Sequence, residues 1–388
     1  MVARTRTRRI AHRSGARIGQ PQDRSCDQMW HRDCMGGGRP ASAGVHHPSL
    51  PNRSHFMSFS RYSQLTCAAM LAMAGVAAHA QGSVSLYGLV DMSVGRTQAP
   101  GAKAVNAADS GKLSTSFWGI GGKEDLGGGV SAVFKLESFV RLTNGGAGRF
   151  DGDPMFSRTA SVGLSSNQLG TVTFGRNTTA LFVSTLMFNA LGDSFGYSPS
   201  IRHYFTSGTT TGDTGWDDSV SYASPSFGGL RFGVSAAFKT GDAATDGRNV
   251  GLNLGYSGGP LSASLVYQDV KKDGAAGAVD NTRTVQAGAA YDFGTAKFYA
   301  QLGTVDNKST DKSYDILGLG VRFPVGKGAV VAQAGRLSPD AGADRTTISA
   351  GYLHSLSPRT ELYGVLMNDK LDGAGSGKNY SVGIRHKF

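Results

Sequence analysis

Residues 230–267 read LRFGVSAAFKTGDAATDGRNVGLNLGYSGGPLSASLVY, and the period of that stretch decides the fold. Leu230, Phe232, Val234, Ala236 and Phe238 alternate with Arg231, Gly233, Ser235, Ala237 and Lys239. Val250, Leu252, Leu254 and Tyr256 then alternate with Asn249, Gly251, Asn253 and Gly255, and Leu261, Ala263, Leu265 and Tyr267 with Ser262, Ser264 and Gln268. Successive side chains of a strand point to opposite faces, so this period sets one face in apolar and the other in polar surroundings. A long polar connection, 240–248, joins the first pair of segments, and a short turn, Gly258–Pro260, joins the second.

The same pattern extends in both directions. It predicts sixteen strands between 84–95 and 378–388, among them 113–124, 130–142, 156–165 and 171–177. Short turns at Asp125–Gly129, Asn167–Gly170, Pro225–Gly229, Gly258–Pro260, Gly294–Thr295, Pro324–Gly328 and Leu356–Pro358 alternate with longer loops at 96–112, 143–155, 178–217, 240–248, 271–281, 306–312, 338–345 and 369–377. A soluble sandwich also alternates along its strands. An even strand number with short turns on one side and long loops on the other is the mark of an outer-membrane barrel. Closure leaves no sheet edge and satisfies every backbone group in lipid, which is why strands span membranes only in this form. The fold expected is all-β, a 16-stranded antiparallel transmembrane β-barrel. After Gln81 the chain offers no run of eighteen apolar residues for a membrane helix. The closing segment, Tyr380–Phe388, ends on an aromatic residue suited to the girdle at the membrane boundary.

Charge and cysteine bound the remaining options. The chain carries a formal +11, but residues 1–80 hold eleven Lys and Arg against three Asp and Glu, leaving twenty-eight against twenty-five afterwards. The barrel region is therefore close to neutral, and a nucleic-acid partner is not expected. Residues 1–56, rich in Arg, His, Ser and Pro, read as an over-extended, unstructured gene start. Residues 57–80 read as a secretory signal: Arg61, the apolar run Leu65–Ala78 and the cleavage site Ala78-His79-Ala80. The barrel is expected to occupy 81–388. Cys26, Cys34 and Cys67 all precede it, and their spacing with His31 fits no zinc finger. No metal or other cofactor is expected. His203, His354 and His386 are the only histidines after residue 81; His354 and His386 belong near the short-turn rim, and His203, in a long loop, has no evident Ser or Asp partner, so no catalytic residue is assigned.

One connection stands apart. Residues 178–217 run for forty residues without strand period, a length rare in a compact domain unless functional or disordered. Disordered segments are poor in aromatics, yet this one carries Phe182, Phe188, Phe195, Tyr197, Tyr204 and Phe205. The expectation is that this third external loop folds into the lumen and narrows it.

Several stretches carry a family resemblance: Ser85–Asp91 (SLYGLVD), Glu124–Val130 (EDLGGGV) running into Val133–Ser138 (VFKLES), Phe156–Leu164 (FSRTASVGL), Gly170–Arg176 (GTVTFGR) and Val382–Phe388 (VGIRHKF). They resemble general porins of Gram-negative bacteria, most closely the β-proteobacterial porins of neisserial type. The resemblance implies a homotrimer in outer-membrane lipid. Each barrel would pass ions and small hydrophilic solutes through a constriction that sets basic wall residues against acids of the inward loop. By motif position it points to Arg158 on the wall, Arg176 at the loop's root and Glu137 on the third strand. Lys135, Glu137 and Arg141 share a face by parity, whereas Arg158 shares one with Ala160, Val162 and Leu164. Asp193 is the single acid in the loop's central part, and Arg202 lies on its return limb. The candidate constriction is thus Lys135, Glu137, Arg158, Arg176, Asp193 and Arg202. Phe117 stands where many members of the family carry an arginine and Leu89 where some carry a basic residue, which implies a milder selectivity. With a net +3 after residue 80 and one central loop acid facing several arginines, a weak anion preference is expected. Two other readings are a substrate-selective channel with Phe195, Tyr197 and Tyr204 along a solute track, and a surface adhesin or antigen.

Overall fold

The computed structural model describes residues 82–210, 214–238, 248–271 and 281–388; the expected leader, 1–80, lies outside the described residues. The strands are β1 (Ser83–Thr97), β2 (Val105–Ser110), β3 (Phe117–Gly127), β4 (Val130–Arg141), β5 (Gly146–Ala147), β6 (Thr159–Ser166), β7 (Gly170–Thr178), β8 (Gly215–Ala223) and β9 (Leu230–Ala237). They continue as β10 (Asn249–Gly258), β11 (Leu261–Val270), β12 (Thr282–Asp292), β13 (Lys297–Asn307), β14 (Lys312–Val325), β15 (Gly328–Pro339), β16 (Arg345–Ser355), β17 (Thr360–Leu371) and β18 (Gly375–Lys387). Sixteen of them form the barrel wall, while β2 and the two-residue β5 lie within the loops expected at 96–112 and 143–155. Neighbours pair antiparallel throughout. The ring closes where β1 pairs with β3 through Ser83–Leu89 and with β18 through Leu89–Arg96. Phe388 completes the seam by exchanging backbone hydrogen bonds with Gly88, at 3.1 and 3.2 Å.

The outward faces carry the apolar members of each alternation. Leu252, Leu254, Leu317, Leu319, Leu366 and Val382 are all exposed on the isolated barrel, the arrangement that lipid requires. Their partners in the alternation point inward, and on β8–β10 these are small or polar: Ser221, Gly233, Ser235, Gly251 and Asn253.

The second wall strand begins later than the expected 113–124. Residues 111–116 leave the sheet and turn into the lumen, because both β2 and β3 pair with β1 and the segment between them is in excess. Asp91, fully buried on β1, holds the excursion: it accepts hydrogen bonds from the backbone N–H groups of Leu113 (3.1 Å) and Ser114 (2.7 Å). The Asp91 N–H donates in turn to Ser116 Oγ (2.9 Å).

The polar-inward rule also fails on one side of the ring. Val331, Leu353, Tyr363, Val365 and Met367 point inward from β15–β17 and are buried with Leu113, Ala190, Leu191 and Tyr197. Val266, Val305, Ile316 and Leu337, from β11 and β13–β15, are buried with Leu181 and Tyr204. Residues 180–206 are what these faces pack against, so the barrel encloses a dry core on one side and an open passage on the other.

Candidate functional site: the lumenal constriction

The loop after β7 enters the lumen as two short helices, α1 (Ala180–Met187) and α2 (Pro199–Phe205). Thr179 caps α1, its Oγ1 accepting from the Phe182 N–H, and Ser198 caps α2 with Pro199 in its first turn. At the root, Arg176 pairs with Asp217 at 2.7 Å and donates to the carbonyls of Ser157 and Gly215.

Each limb is bonded to the wall it covers. From α1, Ser184 Oγ meets Ser264 Oγ at 2.6 Å; Gln286 donates to Thr185 Oγ1, and Gln301 to the Thr185 carbonyl, both at 2.8 Å. From α2, Arg202 pairs with the buried Asp369 of β17 at 2.8 Å. Arg345 and Thr347 of β16 also donate to that carboxylate. His203 Nε2 lies 3.0 Å from Thr347 Oγ1; burial, with Arg345 nearby, pushes its imidazole down to about 3, so it is neutral at ordinary pH. Between the helices, Tyr197 donates to Ser381 Oγ at 2.7 Å and its carbonyl accepts from Ser349. The tip closes on the 111–116 excursion. Ser114 donates to Asp193 (2.8 Å), and Ser194 Oγ (2.7 Å) and the Gly196 N–H (3.1 Å) donate to the Lys112 carbonyl.

The opposite side is open. A cavity of about 350 Å³ separates the loop from β4–β6, with Arg141, Arg149 and Arg158 on the wall side and Phe182, Asp193, Phe195 and Phe205 on the loop side. The Arg158 guanidinium lies 4.1 Å from the centre of the Phe117 ring, and its Nε is 3.2 Å from Glu137 Oε2. Glu137 also accepts from the Tyr87 hydroxyl at 2.8 Å, with Lys135 Nζ 4.0 Å away. Arg149 chelates Asp153 through Nε (2.9 Å) and Nη2 (3.0 Å). Burial alone would raise the Asp153 carboxyl, but the Arg149 side chain, the Arg149 N–H and Ser157 Oγ all donate to it and hold it at about 2. Arg141 pairs with the exposed Asp151 at 2.6 Å.

Of the six residues singled out in the sequence, Arg158 and Asp193 face each other across this cavity, and Glu137 stands behind Arg158 with the more exposed Lys135. Arg176 and Arg202 are placed elsewhere, as pins at the loop's root and return limb. The parity that set Arg158 beside Val162 and Leu164 does not apply to it. Val162 and Leu164 are exposed on the outer face, whereas Arg158 precedes the start of β6 and is free to turn inward. Tyr197 and Tyr204 do not line a track; both are buried between loop and wall, and Phe195 alone of the three borders the cavity. Arg141 and Arg149 were not among the candidates. Arg141 could have been found, since it shares the face of Lys135 and Glu137; Arg149 sits in an irregular loop and carries no periodic signal. Among the described residues no group of His, Cys, Asp or Glu is placed to hold a metal ion.

Comparison with known proteins adds a second line of observation. The model of a family described as Gram-negative porin matches residues 66–374. An outer membrane porin protein of Bordetella pertussis is 30% identical over 84% of this chain and 99% of its own length. Outer membrane porin protein 32 of Delftia acidovorans is 35% identical, over 78% and 88%. Among solved structures, an anion-selective porin from Comamonas acidovorans superposes with a TM-score of 0.69 at 28% identity, covering 79% of this chain and all of that one.

Proposed function

The chain belongs to the Gram-negative porin family, and from that premise we propose that its outer-membrane barrel passes ions and small hydrophilic solutes by passive diffusion, with a weak preference for anions. The carrying observation is which end of the Arg158–Glu137 and Arg149–Asp153 pairs meets the passage. The Arg158 side chain is 28% exposed and its partner Glu137 7%; Arg149 is 30% exposed and its partner Asp153 1%. At these two pairs a solute meets the guanidinium group with its carboxylate behind it, and Asp193 is the one acid lining the cavity on the loop side. A unit charge about 5 Å away contributes about 0.8 kcal/mol in water, roughly a three- to fourfold bias before the carboxylate offsets it. That magnitude supports a preference and not exclusion. The porin from Comamonas acidovorans that shares this fold is anion-selective, which agrees with this sign.

The test is the reversal potential of the refolded protein in a planar bilayer across a potassium chloride gradient. An anion-side potential that moves toward zero in Arg158→Gln is the expected result; a cation-side potential would overturn the assignment. Passive flow needs no catalytic residue or cofactor. We further take the barrel to be a homotrimer, which native mass measurement in detergent checks, and the secreted chain to begin at Gln81, which amino-terminal mass spectrometry checks.

A further inference from the structure

The cavity over the constriction has two chemically unlike sides. On the loop, Phe182, Phe195 and Phe205 form one aromatic cluster, with ring centres 5.9 Å apart for Phe182–Phe195 and 5.4 Å, edge to face, for Phe182–Phe205. On the wall stand Arg141, Arg149 and Arg158. Phe195 and Phe205 are only partly buried, so phenyl surface meets the water of the passage. Phe205 rests one side on the dry core of Leu181 and Tyr204, but Phe195 belongs to neither core cluster, so dry packing does not explain its place on the passage.

The arginines also differ in what they can offer a solute. Arg149 is held bidentately by Asp153, and Arg141 is held by Asp151. Arg158 lies in ion-pair range of Glu137, its Nε 3.2 Å from Oε2 but not hydrogen-bonded, and lays one face on Phe117; no acceptor among the described residues takes a hydrogen bond from its terminal amino groups. Those two donors form a fork suited to a carboxylate. The cavity volume, about 350 Å³, lies in the range of small-molecule sites.

We propose that this cavity is a transit site for aromatic carboxylates: the carboxylate seats on the Arg158 amino groups and the ring against Phe195 and Phe205. An aromatic ring gains from edge-to-face contact with these phenyl groups, and a compact or aliphatic anion of the same charge does not. The site rests on the anion-preferring reading of the constriction, but its selectivity depends on the rings and not on the sign of the pore.

The experiment uses the refolded full barrel in a planar bilayer, with benzoate, cyclohexanecarboxylate and acetate added to potassium chloride. The reading is the concentration of each that halves the chloride current. Benzoate is expected to act at a concentration at least tenfold lower than acetate, with cyclohexanecarboxylate between them. Phe195→Ala and Phe205→Leu should bring benzoate within twofold of acetate while leaving the reversal potential in plain potassium chloride unchanged, and Phe195→Tyr should retain the difference. Heat-modifiable migration on gels establishes that each variant is folded. Equal block by benzoate and acetate, or full benzoate block in folded Phe195→Ala, would overturn the aromatic site. A cation-side potential in plain chloride with benzoate block intact would support the site and sink only the anion preference.

Discussion

The two sides of the barrel's inner wall obey different rules. Strands β11–β17 present Val266, Val305, Ile316, Val331, Leu337, Leu353, Val365 and Met367 to the lumen, and the loop covers them completely. The wall around β4–β6 presents Arg141 and Arg158, with Glu137 buried behind, and stays open to water. The dry side behaves like the interior of a soluble domain, where each buried methylene and each paired charge contributes to stability. The wet side behaves like a surface, where the same charge pairs contribute little to folding and act on whatever passes. One loop therefore has an anchoring face and a working face, and substitutions on the two should separate stability from selectivity.

The sharpest break is expected at the anchor. Asp369→Ala leaves Arg202 and Arg345 side by side, largely buried, without their carboxylate. Removing one partner from such a cluster destabilises by about 3–5 kcal/mol. The loop should leave the wall, seen as a lower melting temperature and as noisy, enlarged single-channel conductance; quiet, unchanged channels would show that the pairing does not hold the loop. Next comes Leu181→Ala, which opens a void in the core between α1 and the wall. A loss of about 3 kcal/mol is expected, measured by urea unfolding in detergent, with selectivity retained wherever the loop stays seated.

On the wet side the order should invert. Arg158→Gln is expected to cost less stability than Asp369→Ala, because Arg158 is partly exposed and Glu137 keeps the Tyr87 hydroxyl, while it takes the reversal potential most of the way to zero. A large stability loss with unchanged selectivity would erase the distinction between the two sides. The smallest effect concerns the Arg149–Asp153 clamp. The folded-state value of Asp153, about 2, lies below the ordinary carboxylate value of about 3.9. Its contribution is therefore present above about pH 4 and lost as pH falls through about 2. The gap in melting temperature between wild type and Asp153→Asn should be a few degrees at most, constant from about pH 7 to about pH 4, and should shrink below that.

Much of this architecture is legible in the sequence. Period-two alternation and the rhythm of short and long connections mark all sixteen wall strands, because lipid imposes one requirement on every outward residue. The inward loop is legible too, as a long aromatic insert without period. Its helices announce themselves in Thr179 and in Ser198-Pro199, though a reading for strands passes over them. The dry wall is harder to see. Strands such as β15 and β17 carry apolar residues on both faces, which signals burial on both, but nothing local says what covers the inner one. The 111–116 excursion depends on the register between β1 and two separate partners, a long-range property. Arg202 meets Asp369 across 167 positions of sequence, so its role as a pin, like that of Arg176 with Asp217, appears only when the chain is folded.

The location of the dry wall also sets an order of events. The loop is made between β7 and β8; its tip meets the 111–116 excursion, made earlier, but its other wall partners lie on β10–β18 and so follow it in the chain. Chain emerges amino-terminal end first, and contacts distant in sequence form late. For most of synthesis and export the loop's apolar face has only the 111–116 excursion of its own chain to rest on, and the seam between β1 and β18 cannot close until the last residues arrive. A plug that finds its seat only as the ring is completed makes the passage the last part of the molecule to take shape.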